Sequence, residues 1–194
     1  MIGANAVKSF ERLLDRALHD HCSADPADRC VVKFLPLGAP PQLKPAEMAN
    51  RRLISLGISS YLFRVVLLFD FASDPATRQY LARSARIDTP MLDGKALNDA
   101  YGEFVNMVCG AVNRGLHGEF RHSGMSTPFA LESSCCNYLE ILQPDAVLTA
   151  TATINDDVQL RVIAALCGAA DVELDFSIET AALAEANSGE LELF

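Results

Sequence analysis

ALNDAYGEFVNMVCGAVNRGL, residues 96–116, reads as one amphipathic helix running from about Lys95 to Leu116. Leu97, Tyr101, Phe104, Val105, Val108 and Val112 recur at helical spacing. At about 100° per residue their mean direction lies opposite Asp99, Glu103 and Asn106. Those three residues, D-x-x-x-E-x-x-N, fall at i, i+4 and i+7 and stack into one polar ridge. The helix is expected to bury its apolar side and present the ridge outward. Asp99 and Glu103 are like charges one turn apart, which costs a few tenths of a kcal/mol. Gly102 and Gly110 each cost about 1 kcal/mol against Ala in a helix. A face selected only for solubility would carry better helix formers of mixed charge. Small residues beside the ridge let another surface approach the backbone.

The elements around this helix predict an α+β fold, an antiparallel β-sheet with long helices packed on one face. Asn5 to His21 has the apolar spacing of a helix, and CVVKFLPL (30–37) that of a short strand. Pro-rich GAPPQLKP (38–45) is a loop. RRLISLGIS (51–59) and YLFRVVLLFDF (61–71) are strands, and the second is apolar enough to be buried on both faces. SDPATRQYLARSARI (73–87) is a helix capped by Ser73 or Asp74, with Pro75 in its first turn. DTPMLDG (88–94) is a loop. FALESS (129–134), CCNYLEIL (135–142) and DVELDFSI (171–178) are expected strands. DAVLTATATIND (145–156) and VQLRVIAAL (158–166) form a hairpin around Asn155-Asp156-Asp157. The tail, about 180–194, reads as a short helix with a frayed end. The whole of 1–194 is expected as one domain with an N-terminal helix and loop extension over about 1–50.

Half of the 194 residues are apolar, enough for a sizeable core, and the net charge is −9. That acidity argues against nucleic acid and anionic membranes as partners. Any negatively charged partner must be recruited by local chemistry. The start lacks a signal-peptide pattern and no apolar run is long enough for a membrane span, so a cytoplasmic protein is expected. Six cysteines, Cys22, Cys30, Cys109, Cys135, Cys136 and Cys167, make no zinc framework and are expected as reduced, mostly buried thiols. His19, His21 and Cys22 lack a fourth ligand, so no metal site is expected. His117 and His122 read as surface residues of a Gly-rich loop. Ser126-Thr127 sits in no nucleophile elbow, and no phosphate-binding loop is present.

Asp99, Glu103 and Asn106, followed by Pro128, resemble the D/S-x-x-x-E-x-x-N…P signature of the CheC/CheX/FliY chemotaxis phosphatases. Apolar Phe104, Val105 and Met107 fit the same pattern, with Gly110 one turn after the Asn. The resemblance covers about Arg51 to Ile178 and is nearest to the single-site CheX type. The interval from Asn106 to Pro128 is one residue shorter than the family's. The resemblance implies phosphatase action on the aspartyl phosphate of a CheY-like receiver domain. Asn106 would orient the attacking water, Glu103 would pair with the receiver's lysine, and Asp99 would support that contact. Gly102, Gly110 and Pro128 would shape the docking surface. The chain would bind no cofactor; Mg²⁺ is expected on the receiver. A homodimer is expected on the same analogy and on the apolar content of the strands, since exposed edges invite pairing. The alternative within the same fold is a receiver-binding scaffold without turnover.

Overall fold

The computed structural model describes residues 1–23, 25, 27–38, 48, 50–87, 94–170 and 172–178. Helix α1 spans Ala4–Cys22, followed by strands β1 (Cys30–Phe34), β2 (Arg51–Ser59) and β3 (Phe63–Ala72). Helices α2 (Pro75–Ser84) and α3 (Gly94–Leu116) come next, then the short strands β4 (Gly124–Met125) and β5 (Phe129–Leu131). A 3₁₀ segment, Ser133–Leu142, leads into the hairpin β6 (Ala146–Ile154) and β7 (Val158–Gly168). The strands form one antiparallel sheet in the order β1-β6-β7-β3-β2-β4, and β5 pairs further along β2. The fold is the α+β arrangement that the sequence predicts.

The register explains why the pattern reads so clearly. Ile54, Phe69, Val162 and Ala150 lie side by side across β2, β3, β7 and β6, and all four are buried. Their face carries α1, α2 and α3 in one continuous core. On the opposite face Leu53, Leu68, Ile163 and Ala165 pack under Cys136 and Leu139 of the 3₁₀ segment. Central β3 is thus covered on both sides, as its nearly unbroken apolar run requires. Asp74 caps α2 by accepting from the Thr77 amide at 2.7 Å, with Pro75 in the first turn.

Two expected strands are something else. CCNYLEIL forms the 3₁₀ segment: Cys136 and Leu139 are buried and Leu142 packs beside them, a spacing of three. Strand alternation would have placed Asn137 and Glu140 among apolar neighbours on either face. DVELDFSI contributes a single parallel bridge, Leu174 to Ile2. Its alternation is real, since Leu174 and Ile178 are buried, but it straps α1 instead of extending the sheet. Asp175 accepts from the Ala6 amide at 2.9 Å and from the Asn5 carboxamide at 2.8 Å. It thereby supplies the helix cap that Gly3 cannot. In FALESS only Phe129–Leu131 pairs as strand. The expected tail helix and most of the two loops (39–47 and 88–93) lie outside the described residues.

The face away from the helices holds one buried ion pair. Asp70 on β3 is fully buried, and its Oδ1 accepts from Arg51 Nε at 2.6 Å. Arg161 Nε stands 3.9 Å from Oδ2, too far to bond it, and Oδ2 has no hydrogen-bond partner. Removing one partner of a buried pair strands the other charge, at a cost of about 3–5 kcal/mol. Asp70→Ala is therefore expected to lower the urea midpoint of unfolding by a corresponding amount. A midpoint equal to wild type would show that the sheet does not depend on this pair.

Candidate functional site

The orientation of α3 is set by its buried side. Leu97, Ala100, Tyr101, Phe104, Val105, Val108, Cys109, Val112 and Leu116 face the core. Phe71 of β3 meets Tyr101 with ring centroids 4.8 Å apart and Phe104 at 5.7 Å, while Tyr80 of α2 meets Phe104 at 6.3 Å. Such edge and tilted contacts add to the area they bury. With that side fixed, Asp99 and Glu103 stand exposed and Asn106 is half-buried. No hydrogen bond or ion pair among the described residues engages any of the three.

Pro128 lies against the ridge. A Cβ at Gly102 would make ordinary van der Waals contact with Pro128 Cγ at 3.7 Å, so the proline borders the ridge. Ser126 holds that segment in place. Its amide donates to the Gly57 carbonyl at 2.9 Å, and its hydroxyl oxygen accepts from the Gly57 amide at 2.9 Å. Met125 and Phe129 flank Pro128 and are 39% and 51% exposed, which leaves an apolar border along one side of the ridge. At the helix start Arg52 of β2 donates to the Asn98 side-chain oxygen at 3.2 Å.

Gly110 is bordered by Arg114. An added Cβ there would stand 3.4 Å from Arg114 Nη1, so the guanidinium lies back over the helix one turn beyond Asn106. Arg114 was not singled out by its sequence pattern; the only trace is its position four residues after a helical glycine. Asn113 and His117 continue the ridge, with Asn113 Nδ2 3.3 Å from His117 Nε2. His117 and His122 are both exposed.

The remaining sequence candidates serve other ends. His19 Nδ1 lies 3.0 Å from the Asp15 carbonyl. Among the described residues no cluster of three or more His, Cys, Asp or Glu side chains could hold a metal. All six cysteines are free thiols. The neighbouring Cys30 thiol, with burial, raises Cys22 from the usual thiol value, and the neighbouring Cys22 thiol lowers Cys30. Burial pushes Cys136 up to about 11.

Chemically, the ridge can position and pair. A carboxamide donates and accepts at once and can hold one water in a fixed direction. A free carboxylate one turn away can take a cation from a partner. Neither group is itself a strong nucleophile.

His21, beside the site at the end of α1, gives a pH dependence. Burial lowers its pKa from 6.5, Asp20 opposes that shift, and Arg114 adds to it. The folded state prefers the neutral ring, whereas the unfolded chain takes up its proton near pH 6.5. This contribution to stability is complete above that pH and is lost as pH falls through the lower folded value. Between about pH 7.5 and 5.5 wild type is expected to lose more stability in urea titrations than His21→Gln. Equal losses would contradict the burial.

Neither a family model nor a curated protein matches the chain. Solved structures do match. CheX from Vibrio vulnificus is 15% identical, with TM-score 0.54, over 82% of this chain and 97% of that one. The CheX in a CheX–CheY–BeF3–Mg²⁺ complex from Borrelia burgdorferi is 12% identical, with TM-score 0.57, over 83% and 97%. FliY from Thermotoga maritima is 11% identical, with TM-score 0.50, over 90% and 88%. Among the described residues no helix is long and apolar enough to cross a membrane. The chain has the fold shared by CheX and FliY, as the D-x-x-x-E-x-x-N…P pattern implied.

Proposed function

We propose that this protein accelerates hydrolysis of the aspartyl phosphate on a CheY-like receiver domain. One observation supports this most: Glu103 and Asn106 stand together on a helix whose rotation the core fixes, and no side chain among the described residues engages either of them. The Borrelia burgdorferi neighbour, whose fold this chain shares, was solved with CheY, BeF3 and Mg²⁺.

In this mechanism the receiver brings the acyl phosphate, the Mg²⁺ and a lysine. Glu103 pairs with the lysine and sets the docking register. Asp99 extends the acidic contact by one turn toward the helix start. Asn106 then hydrogen-bonds a water and holds it in line with the phosphorus. Phosphoryl transfer is mostly positioning and charge stabilisation, so a fixed amide is sufficient machinery. The Asp–O–P linkage breaks at the phosphorus–oxygen bond, water supplies the new oxygen, and inorganic phosphate and the receiver carboxylate leave. Pro128 keeps the ridge's flank stiff, and Met125 and Phe129 offer apolar area to the docked receiver.

The test is decay of a phosphorylated CheY receiver with and without the protein. Asn106→Ala is expected to lower the accelerated rate by about 100-fold or more while the fold stays intact. Glu103→Ala is expected to weaken it by about tenfold, mainly through KM. Acceleration unchanged in both variants would reject the site. Tight receiver binding without faster phosphate release would instead make the protein a scaffold.

A further inference from the structure

We propose that Arg114 is a recognition residue of this site, whose guanidinium engages the anionic surface of the phosphorylated receiver beside Asn106. The proposal rests on the receiver-phosphatase reading above and deepens it.

The position of the side chain carries the inference. Asn106, Gly110 and Arg114 succeed one another by one helical turn each, so they share a side of α3. Arg114 leans toward the helix start, with Nη1 3.4 Å from where a Gly110 Cβ would stand. That lean is the usual direction of a helical side chain, and here it brings the guanidinium to the turn next to Asn106. It is exposed, and no ion pair among the described residues neutralises it.

Charge supplies the need. The chain carries a net −9, and the ridge itself presents Asp99 and Glu103. A phosphorylated receiver face is anionic, and an acidic protein approaches it against repulsion. Glu103 can satisfy the partner's lysine but does nothing for its negative charge. A cation one turn beyond Asn106, on the flank opposite Pro128, meets that charge. A guanidinium also suits planar, bidentate contact with phosphate or carboxylate oxygens. Arg114 thus would favour the phosphorylated receiver over the free one and strengthen encounter without touching the attacking water.

The experiment is steady-state hydrolysis with a CheY receiver charged from phosphoramidate, at low and high salt. Arg114→Gln is expected to raise KM by about tenfold, leave kcat within about twofold, and flatten the salt dependence of kcat/KM. Arg114→Lys is expected to recover most of the loss, since the charge returns. An unchanged KM and salt slope in Arg114→Gln, with wild type active, overturns this inference alone. A wild-type protein that does not accelerate decay removes the phosphatase reading and this inference together.

Discussion

Everything at the site depends on how α3 is rotated about its axis. Phe71 reaches from β3 to Tyr101 and Phe104, and Tyr80 closes on Phe104 from α2. These rings lock one side of the helix into the core with little freedom to turn. A rotation of one residue, about 100°, would carry Asn106 toward the sheet and bring apolar side chains into water. Burial therefore does two things with one set of contacts. It stabilises the sheet–helix interface, and it fixes the direction in which a carboxylate and a carboxamide project. The flank is fixed in turn by Ser126 on Gly57, which seats Pro128 against Gly102.

Such a site asks little of its own chemistry. In the proposed reaction it needs no activated nucleophile, because the labile bond and the metal would come with the partner. What that reaction would need is precision at the amide and compatibility with an anionic surface. The ridge meets the first through the core. It meets the second by dividing charge along the helix, acidic at Asp99 and Glu103 and basic at Arg114. The two poor helix residues border this ridge, Gly102 beside Pro128 and Gly110 beside Arg114.

Much of this was legible in the sequence, for physical reasons. Long, strongly periodic segments such as α1, α3 and the β6–β7 hairpin announce themselves through burial on one side. The ridge was legible because three polar residues coincided with the side of α3 opposite its apolar stripe. CCNYLEIL was misread because its apolar residues suit either a strand or a tight helix; the spacing of Cys136, Leu139 and Leu142 becomes informative only once a sheet face exists for it to cover. DVELDFSI alternates for a helix partner, α1, which local pattern cannot reveal. The contact between Gly102 and Pro128, and the backward lean of Arg114, are tertiary and rotameric facts. Neither composition nor spacing encodes them.

The most direct measurement is side-chain amide NMR of the protein with ¹⁵N-labelled asparagine, titrated with a CheY receiver in its BeF3-activated and unactivated states. The Asn106 carboxamide signal, assigned by its loss in Asn106→Ala, is expected to shift and broaden only with the activated receiver, while Asn5 at the far end of α1 stays unmoved. An Asn106 signal that ignores the activated receiver while the two proteins bind elsewhere would contradict the idea that this amide enters the partner's phosphorylation site.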